Sequence, residues 1–201
     1  MQALPNRYEF EMKSSCGVCQ KQYDRCHCRP QFASPYIENY KRVCLYREER
    51  VSGKMILAAK DRNNRLLYGF LADEMAKSVQ TLAQKADVIV YIPCAEQTYR
   101  KKGFDHGKEL AKALGERLEL PVKDCFVRKK GKEQKNLGAK ERLDNSKESL
   151  FPKKAGKAQI EGKRVLLVDD VMTTGASALV ASVHLQELGA EAIDFVSFGS
   201  R

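Results

Sequence analysis

The sequence predicts an α/β fold with a parallel sheet at its centre, and two observations carry the prediction. Asp87–Pro93 (Asp-Val-Ile-Val-Tyr-Ile-Pro) and Val165–Val168 are short continuous apolar runs, the pattern of strands buried on both faces. Each ends in a loop rich in polar residues that leads into a segment with apolar residues at helical intervals. These are Leu110, Ala111, Leu114 and Leu118 after the first run, and Leu179, Val180, Val183, Leu185 and Leu188 after the second. In an open parallel sheet, loops at the carboxyl ends of strands hold the ligand, so both loops are expected on one edge.

Composition narrows the class. With 201 residues, 43% of them hydrophobic, the chain suffices for one ordinary domain plus a small appendage. No apolar run is long enough to span a bilayer, and the N-terminus lacks the charged and apolar regions of a signal peptide. Membrane insertion is therefore not expected, and the expected location is cytoplasmic. Seven cysteines in such a chain argue for metal or buried thiols before disulfides. The formal net charge of +10 suits polyanionic ligands, either phosphorylated small molecules or nucleic acid, although solubility alone also accounts for it.

The elements follow in order. Residues 1–35 form a cysteine-rich segment, Cys16-x2-Cys19-x6-Cys26-x-Cys28 among Gly17, Pro30 and Pro35, too short to bury a core. Four thiolates around a structural Zn2+ would hold it, because such a site supplies folding free energy directly. His27 is an alternative to one cysteine, and free thiols are the alternative to zinc. Residues 36–201 form the main domain. There Arg42–Tyr46 is a candidate strand and Val51–Lys60 a short helix. After a turn at Asp61-Arg62-Asn63-Asn64 a longer helix runs from about Arg65 to Gln84, with Leu66, Phe70, Leu71, Met75 and Val79 as its apolar stripe. Cys44 reads as a core thiol.

Beyond the first buried strand, the loop Cys94–His106 carries Arg100, Lys101 and Lys102 with Gly103, a set suited to a pyrophosphate; the plainer reading is a solvated basic run. Val122–Val127, containing Cys125, is a third strand. From 128 to 161 charge dominates and apolar positions are few, so this stretch reads as a mobile insertion or a long hairpin rather than core. Ala192–Phe198 supplies the last strand, and no internal repeat is evident.

The densest constellation is Val168-Asp169-Asp170-Val171-Met172-Thr173-Thr174-Gly175-Ala176-Ser177, between buried strand and helix. A turn rich in small and hydroxylated residues at a helix start is an anion site, since backbone N–H groups and hydroxyls converge there. Two adjacent carboxylates fit beside it when the ligand also offers hydroxyls, or a divalent cation bridges them. A ribose 5-phosphate meets both demands, its diol on Asp169 and Asp170 and its phosphate in Thr173, Thr174, Gly175, Ala176 and Ser177. A helix cap explains one such residue, not the series. The combination resembles the phosphoribosyl pyrophosphate (PRPP) motif of type I phosphoribosyltransferases.

The chain as a whole resembles the ComF family of competence-associated, phosphoribosyltransferase-like proteins. The resemblance rests on the N-terminal cysteines, Tyr99-x-x-Lys102-Gly103-Phe104-Asp105-x-Gly107 with its preceding Arg100 and Lys101, Gln134…Arg142-x-x-Asn145, and Val168–Ser177. The family's loop reads closer to Arg-Gly-Phe-Asn-Gln, from which Lys102, Asp105 and His106 depart. The resemblance implies a type I phosphoribosyltransferase-like fold, a twisted, mainly parallel sheet flanked by helices, with 128–161 as a flexible hood and 1–35 as a zinc-binding segment. It implies displacement at the anomeric carbon of PRPP with release of pyrophosphate, Asp169 and Asp170 as catalytic residues, and Mg2+ with the basic loop taking the departing charge. A hood suits an activated sugar that must be shielded from water. Some purine-salvage relatives place a third aspartate where this chain has Thr173, so no general base is evident. The acceptor is not read from the sequence. The alternative is a non-catalytic PRPP- or nucleotide-binding factor that handles single-stranded DNA or assists a competence helicase.

Overall fold

Both apolar runs become inner strands of one parallel sheet. The computed structural model describes residues 34–46, 51–82, 84–129 and 138–200. Its elements are β1 (Ile37–Leu45), α1 (Val51–Arg62), α2 (Arg65–Val79), β2 (Val88–Tyr91), α3 (Glu96–Lys102), α4 (His106–Leu118), β3 (Val122–Lys123), β4 (Phe126–Arg128), α5 (Ala139–Ser149), β5 (Leu150–Pro152), α6 (Gly156–Ile160), β6 (Arg164–Met172), α7 (Ala176–Glu187) and β7 (Ala192–Ser200). The five-stranded sheet has the order β1-β7-β6-β2-β3, every neighbouring pair parallel. A separate antiparallel pair joins β4 to β5.

Strand alternation divides the core in two. Val88, Val90, Val165, Leu167, Ile193 and Phe195 point to one face, where Leu179, Val180 and Val183 of α7 cover them. Ile89, Tyr91, Leu166, Val168, Val196 and Phe198 point to the other, beneath Ile56 of α1, Leu71 and Met75 of α2, and Leu110 and Leu114 of α4. Each large side chain so buried stabilises the fold by about 1.5–3 kcal/mol. Both faces are covered, which is why the inner strands read as unbroken apolar runs.

The helix expected from Arg65 to Gln84 starts where Asn64 Oδ1 accepts the N–H groups of Leu66 and Leu67, but it ends at Val79. Its expected stripe is only half right. Leu66 is 86% exposed and Phe70 48%, while the buried face is Tyr68, Leu71, Ala72, Met75 and Ala76. The two alanines let α2 lie close to its neighbours, so packing rather than hydrophobicity alone selects the inner face. The first strand starts at Ile37, not Arg42. Its polar early residues hide it from a hydrophobicity reading, yet they bond across to β7: Asn39 Nδ2 donates to Asp194 Oδ1 at 2.8 Å, and the Tyr40 and Ser197 hydroxyls meet at 2.9 Å.

Two further expectations change. Val122–Val127 is not one strand: β3 joins the main sheet, whereas β4 turns away to the β4–β5 pair. The stretch 128–161 does contribute core in its described part, where Leu143, Leu150 and Ile160 are buried against the α7 side of the sheet. Its hairpin-like component is the β4–β5 pair. Cys16, Cys19, Cys26, Cys28, His27 and Gln134 lie outside the described residues. Among the described residues no helix is long and apolar enough to cross a membrane.

Candidate active site

The carboxyl ends of β6 and β2 lie side by side, since Tyr91 pairs with Val168 and Ile92 N–H donates to Val168 O at 3.0 Å. The loops after both strands therefore share one edge, as the sequence implies. After β2 the chain makes α3 and then α4, whose first turn presses onto the strand end. A Cβ on Gly107 would lie 2.5 Å from Ile92 O, so only glycine allows this approach.

Because successive strand residues face opposite sides, the two adjacent carboxylates are sorted into different surroundings. Asp170 turns toward α1 and α4. Its Oδ2 ion-pairs with Lys60 Nζ at 2.6 Å and lies 3.4 Å from His106 Nε2, and its Oδ1 accepts the Val171 N–H at 2.6 Å. Burial pushes this carboxyl up, but Lys60, His106 and the two hydrogen bonds outweigh burial and hold it below the ordinary range. Lys60 is correspondingly held charged: burial disfavours the ammonium, and Asp170 more than restores it. The His106 imidazole is pushed down by burial against the pull of Asp170.

Asp169 lines a recess on the α7 side with Arg142, Thr173, Thr174, Gly175 and Ser177. Burial and the charge of Asp170 push its carboxyl up to about 7, with Lys60 and Arg128 opposing. At neutral pH one of the two carboxyls is thus held ionised while the other is poised to gain or lose a proton.

The floor of the recess is the start of α7. Gly175, at φ 84°, takes a left-handed conformation that turns the chain into the helix, and Thr174 Oγ1 accepts the Ala176 N–H at 3.4 Å. Two arginines reach in from the 128–161 stretch. Arg142 Nη1 donates to Thr173 Oγ1 at 2.9 Å, and Arg128 Nη2 donates to Ser177 Oγ at 2.8 Å, with Ser146 Oγ 3.2 Å from Ser177 Oγ. Arg128 Nε is buried and finds no partner among the described residues. Burial lowers the Arg128 pKa, with Asp169 the chief opposing charge. A helix start, two hydroxyls and two guanidinium groups thus converge on one recess, a set of donors complementary to an anion.

Asp169, Asp170, Thr173, Thr174, Gly175, Ala176 and Ser177 are therefore brought together as one strand–turn–helix unit. The basic run falls elsewhere on the same edge, on α3 rather than in an open loop. Arg100 pairs with Glu96; Lys102 Nζ donates to Lys60 O at 2.8 Å and to Asp61 Oδ1 at 2.7 Å; Lys101 is exposed; and Gly103, at φ 77°, ends α3. Lys102 thus leans on the residue that holds Asp170. Lys60, His106, Arg128 and Ser146 are site residues not singled out in the sequence for these roles. Lys60 and Arg128 look there like other surface cations, and only the fold makes them neighbours of Asp170 and Ser177.

A parallel sheet with this strand–turn–helix unit at its carboxyl edge defines a type I phosphoribosyltransferase-like protein. The chain belongs to the phosphoribosyl transferase domain family, whose model matches residues 71–200. It is 33% identical over 131 residues to competence protein F of Haemophilus influenzae, an alignment covering 64% of this chain and 56% of that protein. With competence protein ComFC of Bacillus subtilis it shares 29% identity over 124 residues, 62% of this chain and 48% of that one. The chain thus spans about half the length of these relatives. Among solved structures, adenine phosphoribosyltransferase from Leishmania tarentolae superposes at TM-score 0.44 and 13% identity, over 78% of this chain and 90% of that one.

Proposed function

We propose that this chain binds PRPP with Mg2+ at the carboxyl edge of β6 and transfers its phosphoribosyl group to an acceptor, releasing pyrophosphate. The observation that carries the reading is the pairing of a recess lined by hydroxyls and arginines with the two differently held carboxylates. The 5-phosphate sits at the start of α7, on the backbone N–H groups and the Thr173, Thr174 and Ser177 hydroxyls, with Arg128 and Arg142 supplying charge. The unpartnered Arg128 Nε is a donor that such an anion would satisfy. The ribose diol faces Asp169 directly, beside the Asp170 carboxylate that Lys60 holds. Asp169 is a hard oxygen donor opening on the recess and fits a Mg2+ shared with the ligand's oxygens. When bound, that ion would neutralise negative charge on the departing pyrophosphate. Arg100 and Lys101 of α3 would add positive charge for the leaving pyrophosphate.

In the reaction the bond from the anomeric carbon to pyrophosphate oxygen breaks, its electron pair leaves with pyrophosphate, and an acceptor nucleophile forms the new bond and loses its proton. The chain's own share is to fix the ribose between Asp169 and the phosphate recess, with Arg142 and Ser146 of α5 closing over the start of α7. The competence proteins among its relatives suggest that this activity serves DNA uptake, and the cysteines at 16, 19, 26 and 28 suggest a structural Zn2+.

Calorimetric titration with PRPP and Mg2+ tests the site. Asp169→Asn with Asp170→Asn should weaken binding by ~2–4 kcal/mol, most of it from Asp169, because each charged hydrogen bond lost costs about 1.5–3 kcal/mol. Unchanged affinity would reduce the motif to a turn. Pyrophosphate release measured across amine and nucleobase acceptors then tests transfer separately from binding.

A further inference from the structure

We propose that Cys94, Asp105 and His106 form a binding site for one divalent transition-metal ion of the zinc type, separate from the N-terminal cysteines and from any Mg2+ that accompanies PRPP. One ligand atom from each of the three, a thiol sulfur, a carboxylate oxygen and a ring nitrogen, lie within 4.8 Å of one another. Tetrahedral zinc, with bonds of about 2.0–2.3 Å, holds its ligands roughly 3.3–3.8 Å apart, so a contraction of about 1 Å would close the set.

The three residues are positioned by the fold rather than by chance exposure. Cys94 follows the end of β2 and is 8% exposed. Asp105 caps α4, its Oδ1 accepting the Gly107 and Lys108 N–H groups, while its Oδ2 accepts the Cys94 N–H at 3.1 Å. Those contacts fix the carboxylate beside the thiol and leave lone pairs on Oδ2. His106 opens α4, and its Nε2 lies 3.4 Å from Asp170 Oδ2, which sets a carboxylate beside the imidazole as often found for histidine ligands.

The donor set selects the ion. Sulfur and imidazole nitrogen favour Zn2+ over Mg2+ or Ca2+, which take oxygen. Three protein ligands leave a fourth position for water or a ligand atom, unlike the closed four-cysteine arrangement of a structural site. The plainer alternative is a network in which the Cys94 thiol simply bonds to Asp105 and His106 to Asp170.

Metal titration of the full chain separates the two. The protein is stripped of metal under reducing conditions and titrated with Co2+, whose thiolate charge-transfer and ligand-field bands report sulfur ligation and geometry. The wild type should bind one more equivalent than either Cys94→Ala or His106→Gln, and both variants should lose the same spectral component. A companion variant with serine at 16, 19, 26 and 28 should retain that component, now as its whole thiolate signal. His106→Gln changes a helix-start residue that is not deeply buried, so it keeps the test open should Cys94→Ala fail to fold. Identical stoichiometry and spectra in wild type and His106→Gln would overturn the site. So would loss of all thiolate signal in the variant with serines at 16, 19, 26 and 28, provided circular dichroism shows it folded.

Discussion

Asp169→Asn should stabilise the ligand-free protein at alkaline pH and leave it nearly unchanged at acid pH. The wild-type carboxyl is displaced from its ordinary 3.8 to about 7, by burial first and by the neighbouring Asp170 charge second, against Lys60 and Arg128. A carboxyl that holds its proton more tightly in the folded state favours folding fully below pH 3.8, and that contribution is lost as the pH rises through about 7. At about 1.4 kcal/mol per pH unit the ceiling on the loss is about 4 kcal/mol. Asp169 keeps part of its surface open to solvent, which screens the charge, and Asp170 shares the proton balance. The expected loss is therefore ~1–2 kcal/mol. Asparagine mimics the protonated acid and keeps an oxygen to accept the Asp170 N–H, now accepted by Asp169 Oδ1 at 2.9 Å. Urea unfolding at pH 5 and pH 8 decides the matter. The variant should exceed wild type by ~1–2 kcal/mol at pH 8 and by roughly a third of that at pH 5, where the unfolded chain has already released its proton. A variant no more stable at pH 8, or one whose gain is equal at both pH values, would refute the assignment of Asp169 as the strained carboxyl.

Three more outcomes are expected. Lys60→Met removes the cation that holds Asp170 and should cost ~2–3 kcal/mol of stability in urea, less than for a fully enclosed pair because Lys60 is 26% exposed. Adding Asp170→Asn to that variant should recover part of the loss, and failure to recover any would mean the two residues do not act as a pair. Gly107→Ala should destabilise by ~1–3 kcal/mol, because its Cβ meets Ile92 O at 2.5 Å; an unaffected unfolding midpoint would show that α4 can move off the strand end. Arg142→Gln should weaken ribose 5-phosphate binding by ~1.5–3 kcal/mol with little loss of stability, and equal affinity in calorimetry would remove the arginine from the phosphate recess.

The inner sheet was legible because burial on both faces writes itself as Val165–Val168 and Val88–Tyr91, and the phosphate turn was legible because its parts are contiguous from Asp169 to Ser177. What escaped depends on distance along the chain. β1 is polar in its first half because its partners are the polar side chains of β7, Asp194 and Ser197, some 155 positions away. Leu66 and Phe70 drew the helix stripe to the wrong side, since nothing local says that α2 presents alanines inward. In the 128–161 stretch, charge disguised buried residues. Arg142 and Ser146 there are enclosed yet polar, because what they meet is the hydroxyl-lined turn rather than apolar core.

The sharpest difference between sequence and structure lies within the two aspartates themselves. Read from the sequence, Asp169 and Asp170 are equivalent carboxylates facing one diol. In the fold the strand sends them to opposite faces, and their neighbours then divide the work. Lys60 and His106, drawn from α1 and α4, hold Asp170 in its ionised form. Asp169, facing Arg128 and the recess across the other face, keeps a proton near neutrality that a bound cation would displace. Binding of PRPP with Mg2+ should therefore release protons around pH 7, and the apparent binding enthalpy should change with the ionisation enthalpy of the buffer. Asp169→Asn should reduce that buffer dependence to the part supplied by the ligand's own phosphates, whose second ionisation lies at about pH 6. A buffer-independent enthalpy in wild type would mean that the ligand meets Asp169 without discharging it, and the diol would then have to be assigned to Asp170 alone.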